Sequence, residues 1–215
     1  MPNVSVIIPT YNVGPILAEA IDSILAQDVR DLEIIVVDDG STDSTPELLK
    51  GYSTRVTSLR IIHSGVAAAR NRGIAASSGQ FIAFCDSDDL WVPDKLRIQL
   101  SWLRAHPEYA MVYSDAIQVE LGQNPADVHS TMLSSYVWPD SGAIFKNLLY
   151  EDFIFPTTVL AKREVFETVG PFDEVLRVAE DYQMWLRIAS KFSIGKVDQP
   201  LIIRRLRPGQ LTADP

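Results

Sequence analysis

The 215-residue sequence predicts an α/β fold, a mostly parallel central sheet flanked by helices, with a small antiparallel part in its C-terminal third. Three observations point there. Apolar strand-like runs alternate with segments of helical periodicity through the first half of the chain, an order that gives parallel strands with right-handed crossovers. Several runs discharge into polar clusters, as strands of open sheets do at their ligand-binding carboxyl edge. In the last third the alternation lapses, and strand and helix signals mix.

Taken in order, Val4 to Ile8 is a β-branched run, and Ile16, Leu17, Ala20, Ile21, Ile24 and Leu25 then recur at helical spacing. Leu32 to Val37 reads as a second strand, and Ser44-Thr45-Pro46 opens a second helix with a cap and a first-turn proline. Ser58 to Ile62 is the third strand, Val66 to Ala76 an alanine-rich helix and Phe81 to Cys85 the fourth strand. An amphipathic helix follows Pro93, and Tyr109 to Ser114 is again strand-like. From Gln123 to Asp140 the pattern reads as a loop, of a length usual for lids and binding loops. Beyond it, strands are expected near Thr157 to Leu160 and Leu201 to Arg204, with a helix over Tyr182 to Ser190.

Composition narrows the classes. With 47% hydrophobic residues the chain can bury one sizeable core. The balance of 28 acidic to 19 basic residues, net −9, argues against a nucleic-acid surface. No apolar stretch is long enough to span a bilayer, and Met1 to Asn12 lacks the features of a signal peptide, so a cytoplasmic location is expected. Peripheral membrane association stays open. The single cysteine, Cys85, lies in an apolar strand and reads as a buried structural thiol.

The most informative stretch is residues 80–94, where an apolar run ends in Asp86, Asp88 and Asp89. Carboxylates clustered there are costly unless something positive balances them, and a divalent cation carrying phosphates is the natural partner. Pro9-Thr10-Tyr11-Asn12 and Asp38-Asp39-Gly40-Ser41 follow strands one and two and share that edge. Each cluster alone could simply make a turn. Together, on one edge, they mark a nucleotide position. Glu180-Asp181 opens the late helix, where an acidic pair either caps it or does chemistry.

Val4 to Asn12, Val37 to Asp43, Ala69-Arg70-Asn71-Arg72-Gly73, Asp86-Ser87-Asp88-Asp89 and Glu180-Asp181, in that order and spacing, resemble the family 2 glycosyltransferases of the GT-A fold. The resemblance implies a nucleotide-diphospho-sugar donor, UDP- or dTDP-linked, a Mg2+ or Mn2+ ion and transfer of one sugar with inversion to a hydroxyl of a glycan or lipid-linked acceptor. A setting in cell-envelope polysaccharide biosynthesis goes with it. By that likeness Pro9, Thr10, Tyr11, Asp39, Arg70, Asp86 and Ser87 would meet the donor. Tyr11 would stack on the base, Asp39 would hydrogen-bond it, and Arg70 would help hold the nucleotide. Asp88 would be the main metal ligand with Asp86 beside it, and Asp181 the general base. Residues 1–215 would form one domain, with 1–115 binding the nucleotide and 116–215 carrying acceptor contacts and the base.

Those roles suit the residue types. A bound cation stabilises the charge growing on a leaving diphosphate, and a carboxylate activates a weakly nucleophilic hydroxyl. His63 is expected near the nucleotide edge, His106 at a helix end and His129 in the long loop, as a solvated residue or, less favoured, an acceptor contact. Many relatives carry a histidine in a final motif where Arg207 stands, and Arg205 and Arg207 are expected to clamp the diphosphate directly. The chain stops soon after, at Pro215, as a minimal enzyme or as a catalytic domain of something longer. Tyr136, Trp138, Phe153 and Phe155 offer faces to an acceptor sugar or close the core. The lack of a Gln-x-x-Arg-Trp motif speaks against a processive synthase. Two other readings are a non-catalytic nucleotide-sugar-binding module and a phosphatase of the haloacid dehalogenase type. The latter wants Thr or Val where Leu90 stands and leaves Asp38-Asp39 unexplained.

Overall fold

The computed structural model describes residues 3–128, 131–132 and 141–207. The first half follows the expected alternation. β1 (Val4–Thr10), α1 (Ile16–Leu25), β2 (Leu32–Asp38), α2 (Thr45–Gly51), β3 (Thr57–Arg60), α3 (Val66–Ala76) and β4 (Phe81–Phe84) succeed one another. β1 pairs in parallel with both β2 and β4, and β2 with β3. Successive side chains of a strand point to opposite faces, so Val6 and Ile8 enter one core and Ile7 the other. The first core lies under α1, α2 and α4 (Lys95–Ala105), through Leu17, Ile21, Ile24, Leu49, Leu96 and Leu100. Each such fully buried side chain contributes about 1.5–3 kcal/mol of transfer free energy.

The second half is mixed. β5 (Leu90–Trp91) precedes α4, and β6 (Tyr109–Glu120), α5 (Phe145–Leu148), β7 (Leu160–Lys162), α6 (Arg163–Val169), α7 (Glu180–Ala189) and β8 (Ser193–Leu206) follow it. All eight strands of the described residues join one sheet in the order β3-β2-β1-β4-β7-β6-β8-β5. β7 is antiparallel to both β4 and β6 and joins the parallel half to a long β6/β8 pair. That pair is itself parallel, with register breaks around Ser114 and Asp115. Phe84, Phe166, Phe172 and Trp185 close the second core edge-on between sheet, α6 and α7.

Several expected bounds change. The strand expected over Thr157 to Leu160 is a 3-10 turn at Pro156–Thr158 followed by β7. Thr157 and Thr158 spend their hydroxyls on Asp89 and on the Phe155 carbonyl, which favours a turn over a ladder. β6 and β8 are longer than their apolar runs because each completes the other. His129, Tyr136, Trp138 and most of the expected loop lie outside the described residues. No helix among the described residues is long and apolar enough to cross a membrane.

Candidate functional site

The ends of β1 and β2 are stitched into one unit. Asn12, at φ 50°, donates its amide to Ser41 Oγ at 2.9 Å, and its Oδ1 accepts the Thr42 amide at 2.8 Å. Asp38 Oδ1 accepts the Ser41 amide at 2.8 Å, while Gly40 adopts φ +80°, a region glycine enters without strain. Pro9 and Thr10 are buried beneath this unit. Tyr11 is 42% exposed and stacks on His63 at 4.1 Å between ring centroids. One aromatic face thus meets His63, as expected of a histidine at this edge. Asp39 is buried and accepts the Ser64 amide on Oδ1 at 2.7 Å and the Gly65 amide on Oδ2 at 2.9 Å, with His63 Nδ1 also 2.9 Å from Oδ2. It therefore orders the turn that leads into α3.

The turn after β4 is held from three sides. Thr157 Oγ1 accepts the Asp86 amide at 3.0 Å and donates to Asp89 at 2.8 Å. Asp89 also accepts the Arg205 amide at 3.1 Å. Burial, with the charges of Asp86 and Asp88, pushes its carboxyl up to about 8. Ser87 and Asp88 are nearly buried, whereas the Asp86 side chain is one-third exposed at 33%. Burial and the Asp88 charge raise Asp86 despite the opposing Arg70. Arg207 Nε donates to Asp88 Oδ2 at 2.9 Å.

Arg205 takes a different position from the expected clamp. Only 5% of it is exposed, and its guanidinium donates to the Asp88 carbonyl and to Glu19 on α1. It braces the turn from within the protein. The Asp88 carbonyl and Glu19 hold its guanidinium inside, whereas Arg207, just past the end of the strand, pairs with the Asp88 carboxylate.

Arg70 is likewise an internal strap. It is 3% exposed, with Nη2 3.0 Å from Asp86 and Nη1 2.5 Å from Glu180. In the structure its guanidinium pairs with two carboxylates, Asp86 and Glu180. They outweigh the burial that disfavours its charge and, with Asp181, hold it more basic than usual. Asp181, next to Glu180 at the start of α7, accepts the Tyr182 amide at 2.8 Å. The preceding Ala179 sits at φ 60°, a left-handed conformation that costs a non-glycine residue energy and is common at functional sites. Burial raises the Asp181 carboxyl and the Glu180 charge adds to it, against the pull of Arg70. A carboxyl raised in this way is better matched to proton transfer near neutral pH.

The sequence-expected residues thus converge on one edge, while Thr157, Glu19 and the bracing role of Arg205 were not legible in any local spacing. Among the described residues no group of three or more His, Cys, Asp or Glu side chains is arranged to hold a metal ion. Two carboxylates on one tight turn nevertheless fit Mg2+ or a similar ion, which usually binds through one or two carboxylates with phosphates and water completing its shell.

A family model described as glycosyl transferase family 2 matches residues 5–170. The chain belongs to that family. This family 2 chain is 37% identical to an uncharacterised glycosyltransferase of Rickettsia felis over 97% of its own length and 34% of that protein. It thus spans about a third of that relative. It is 30% identical to WfgD of Escherichia coli, a UDP-Glc:alpha-D-GlcNAc-diphosphoundecaprenol beta-1,3-glucosyltransferase, over 96% of this chain and 78% of the other. Among solved structures, S. aureus TarS in complex with UDP-GlcNAc matches with a TM-score of 0.79 at 23% identity, over 97% of this chain and 60% of that one. The likeness shows the GT-A fold. A mannosyltransferase from Pyrobaculum calidifontis, in complex with GDP-Man and Mn2+, matches with a TM-score of 0.73 at 26% identity, over 97% and 58% of the two chains. The family assignment removes the phosphatase reading.

Proposed function

We propose that the chain transfers one sugar, with inversion, from a nucleotide-diphospho-sugar to a hydroxyl of a glycan or lipid-linked acceptor, in the cytoplasm or at the inner membrane face. The observation that carries this reading is the Arg70 strap, which ties Glu180, next to Asp181, to Asp86 on the opposite wall. A candidate base and a candidate metal turn are thereby held on one buried guanidinium. The UDP-sugar named for WfgD and for TarS supports a uridine donor, with dTDP as the near alternative.

In this reading Tyr11 offers its free reach to the base, while Asp39 meets it from the ordered turn and Pro9, Thr10 and Ser87 line the donor pocket. Asp88 and Asp86 would hold Mg2+ or Mn2+, which supplies Lewis-acid stabilisation of the leaving diphosphate when bound. Arg207, beside Asp88, adds positive charge at the same edge. Asp181 takes the proton of the acceptor hydroxyl, a contribution of about 10²–10⁴ in rate.

Calorimetric titration with UDP, dTDP, GDP and CDP, each with Mn2+ and with chelator, tests the donor site. Metal-dependent binding of one nucleotide is expected, and binding of none would overturn it. Asp181→Asn is expected to lower turnover by about 10²–10⁴ with donor affinity unchanged. A parallel loss of donor affinity would remove Asp181 from the role of base.

A further inference from the structure

One carboxylate beside the proposed base has no part in the reaction as written. Tyr182, in the first turn of α7, donates its hydroxyl to the Leu148 carbonyl, and Trp185 donates Nε1 to the Ile154 carbonyl at 2.8 Å. Residues three apart share a helix face, so these two bonds lay residues 148–154 along the side of α7 that follows Asp181. Asp152 falls between the two anchors. Its carboxylate is exposed, and its contact with the Ile154 amide is a long 3.4 Å. An ionised carboxylate offers about four acceptor positions, so most of its hydrogen-bonding capacity is unused by the fold.

The charges around it are one-sided. Glu180 is paired with Arg70, which also carries Asp86. The surrounding protein, the Asp181 charge and then the Glu180 charge push the Asp152 carboxyl up to about 7, against the weak Ile154 contact. Asp152 therefore lies near enough to Asp181 for their charges to act on each other.

Resting on the transferase reading above, we propose that Asp152 binds the acceptor sugar. Its carboxylate accepts a hydrogen bond from a hydroxyl neighbouring the one that Asp181 deprotonates. The acceptor end taken is therefore a neutral sugar ring with adjacent hydroxyls, since a phosphate or carboxylate at this point would face two carboxylates and suffer their repulsion. Any phosphate of a lipid-linked acceptor has to lie on the far side of that ring.

The test uses the full chain, its preferred nucleotide sugar and p-nitrophenyl glycosides of glucose and N-acetylglucosamine, alongside their 6-phosphates. Asp152→Asn, nearly isosteric and at an exposed position, is expected to raise the acceptor KM by about 10-fold or more, as for the loss of a hydrogen bond to a charged group. Its donor KM should stay at the wild-type value and its slow hydrolysis of donor by water should not fall in step, and Asp152→Glu should recover part of the acceptor affinity. An unchanged acceptor KM overturns the assignment. So does a matching loss of donor hydrolysis, which would make Asp152 a structural residue. Equal use of the 6-phosphates overturns the neutral acceptor end. Donor hydrolysis without transfer to any neutral glycoside overturns this inference while leaving the transferase reading intact. A wild-type chain that consumes no donor at all removes that reading as well.

Discussion

β1, β2 and β4 run parallel and side by side, so Tyr11, Asp39 and Asp86 reach one edge from positions set by chain order alone. Thr157, Glu180 and Arg205 arrive at the same edge by longer routes, from a 3-10 turn, a helix start and the end of a strand that pairs with β6. The first half builds a scaffold by repetition. The second half attaches chemistry to it through individual polar contacts: Arg70 to Glu180, Thr157 to Asp86 and Asp89, and Arg205 to Asp88. The repeating half spreads its stability over many apolar contacts, whereas the seam concentrates its polar contacts in a few buried groups.

The largest expected effect comes from cutting the strap. Arg70→Met leaves the Glu180 and Asp86 carboxylates on a site designed around a cation, and removing one partner of a buried pair costs about 3–5 kcal/mol. Denaturant unfolding should report that loss, and turnover should fall with it because Asp181 is no longer fixed relative to Asp86. A loss under about 1 kcal/mol would mean that the two halves are joined by apolar packing and the strap is incidental.

A second seam lies lower in the fold and tests the comparison through pH. Lys95 is fully buried, donates to Gln99 at 2.8 Å and lies 4.1 Å from the Trp91 ring centroid, while Gln99 donates to the Thr158 carbonyl at 2.7 Å. Burial lowers its ammonium to about 7, with the Cys85 charge opposing. Below that pH both folded and unfolded chains carry the charge and the folded state bears the full cost of burying it. Between about 7 and the ordinary lysine range the unfolded chain binds more protons, so stability rises with pH. Lys95→Met lacks this dependence. Measured against it from pH 6 to 10, the wild-type chain should gain on the order of a few kcal/mol, and a pH-independent difference would place the ammonium in contact with water.

The smallest effect belongs to the repeating half. Tyr11→Ala removes an exposed ring that stacks on His63, and stacking of this kind is worth about 0.5–1.5 kcal/mol. Donor affinity should weaken by roughly that amount in calorimetry, with stability and the Asp181 step unchanged. A loss of folding stability instead would make Tyr11 part of the scaffold.

Residue order and hydrophobic period alone determined the parallel half of the sheet, with α3 found over the expected Val66 to Ala76 and α1 over Ile16 to Leu25. They also brought the polar ends of β1, β2 and β4 to one edge, because parallel strands with short-range crossovers leave few alternatives. Only the tertiary structure decided that β7 enters antiparallel, that Thr157 makes a turn and that β6 and β8 extend well past their apolar runs. It also tied Arg70 and Arg205 to buried internal partners, and brought the Asp152 and Asp181 charges within reach of each other. The physical reason is range: periodicity and turn chemistry act over a few residues, whereas a buried charge is committed by whichever carboxylate the fold brings to it, here from 110 positions away for Glu180 and Arg70.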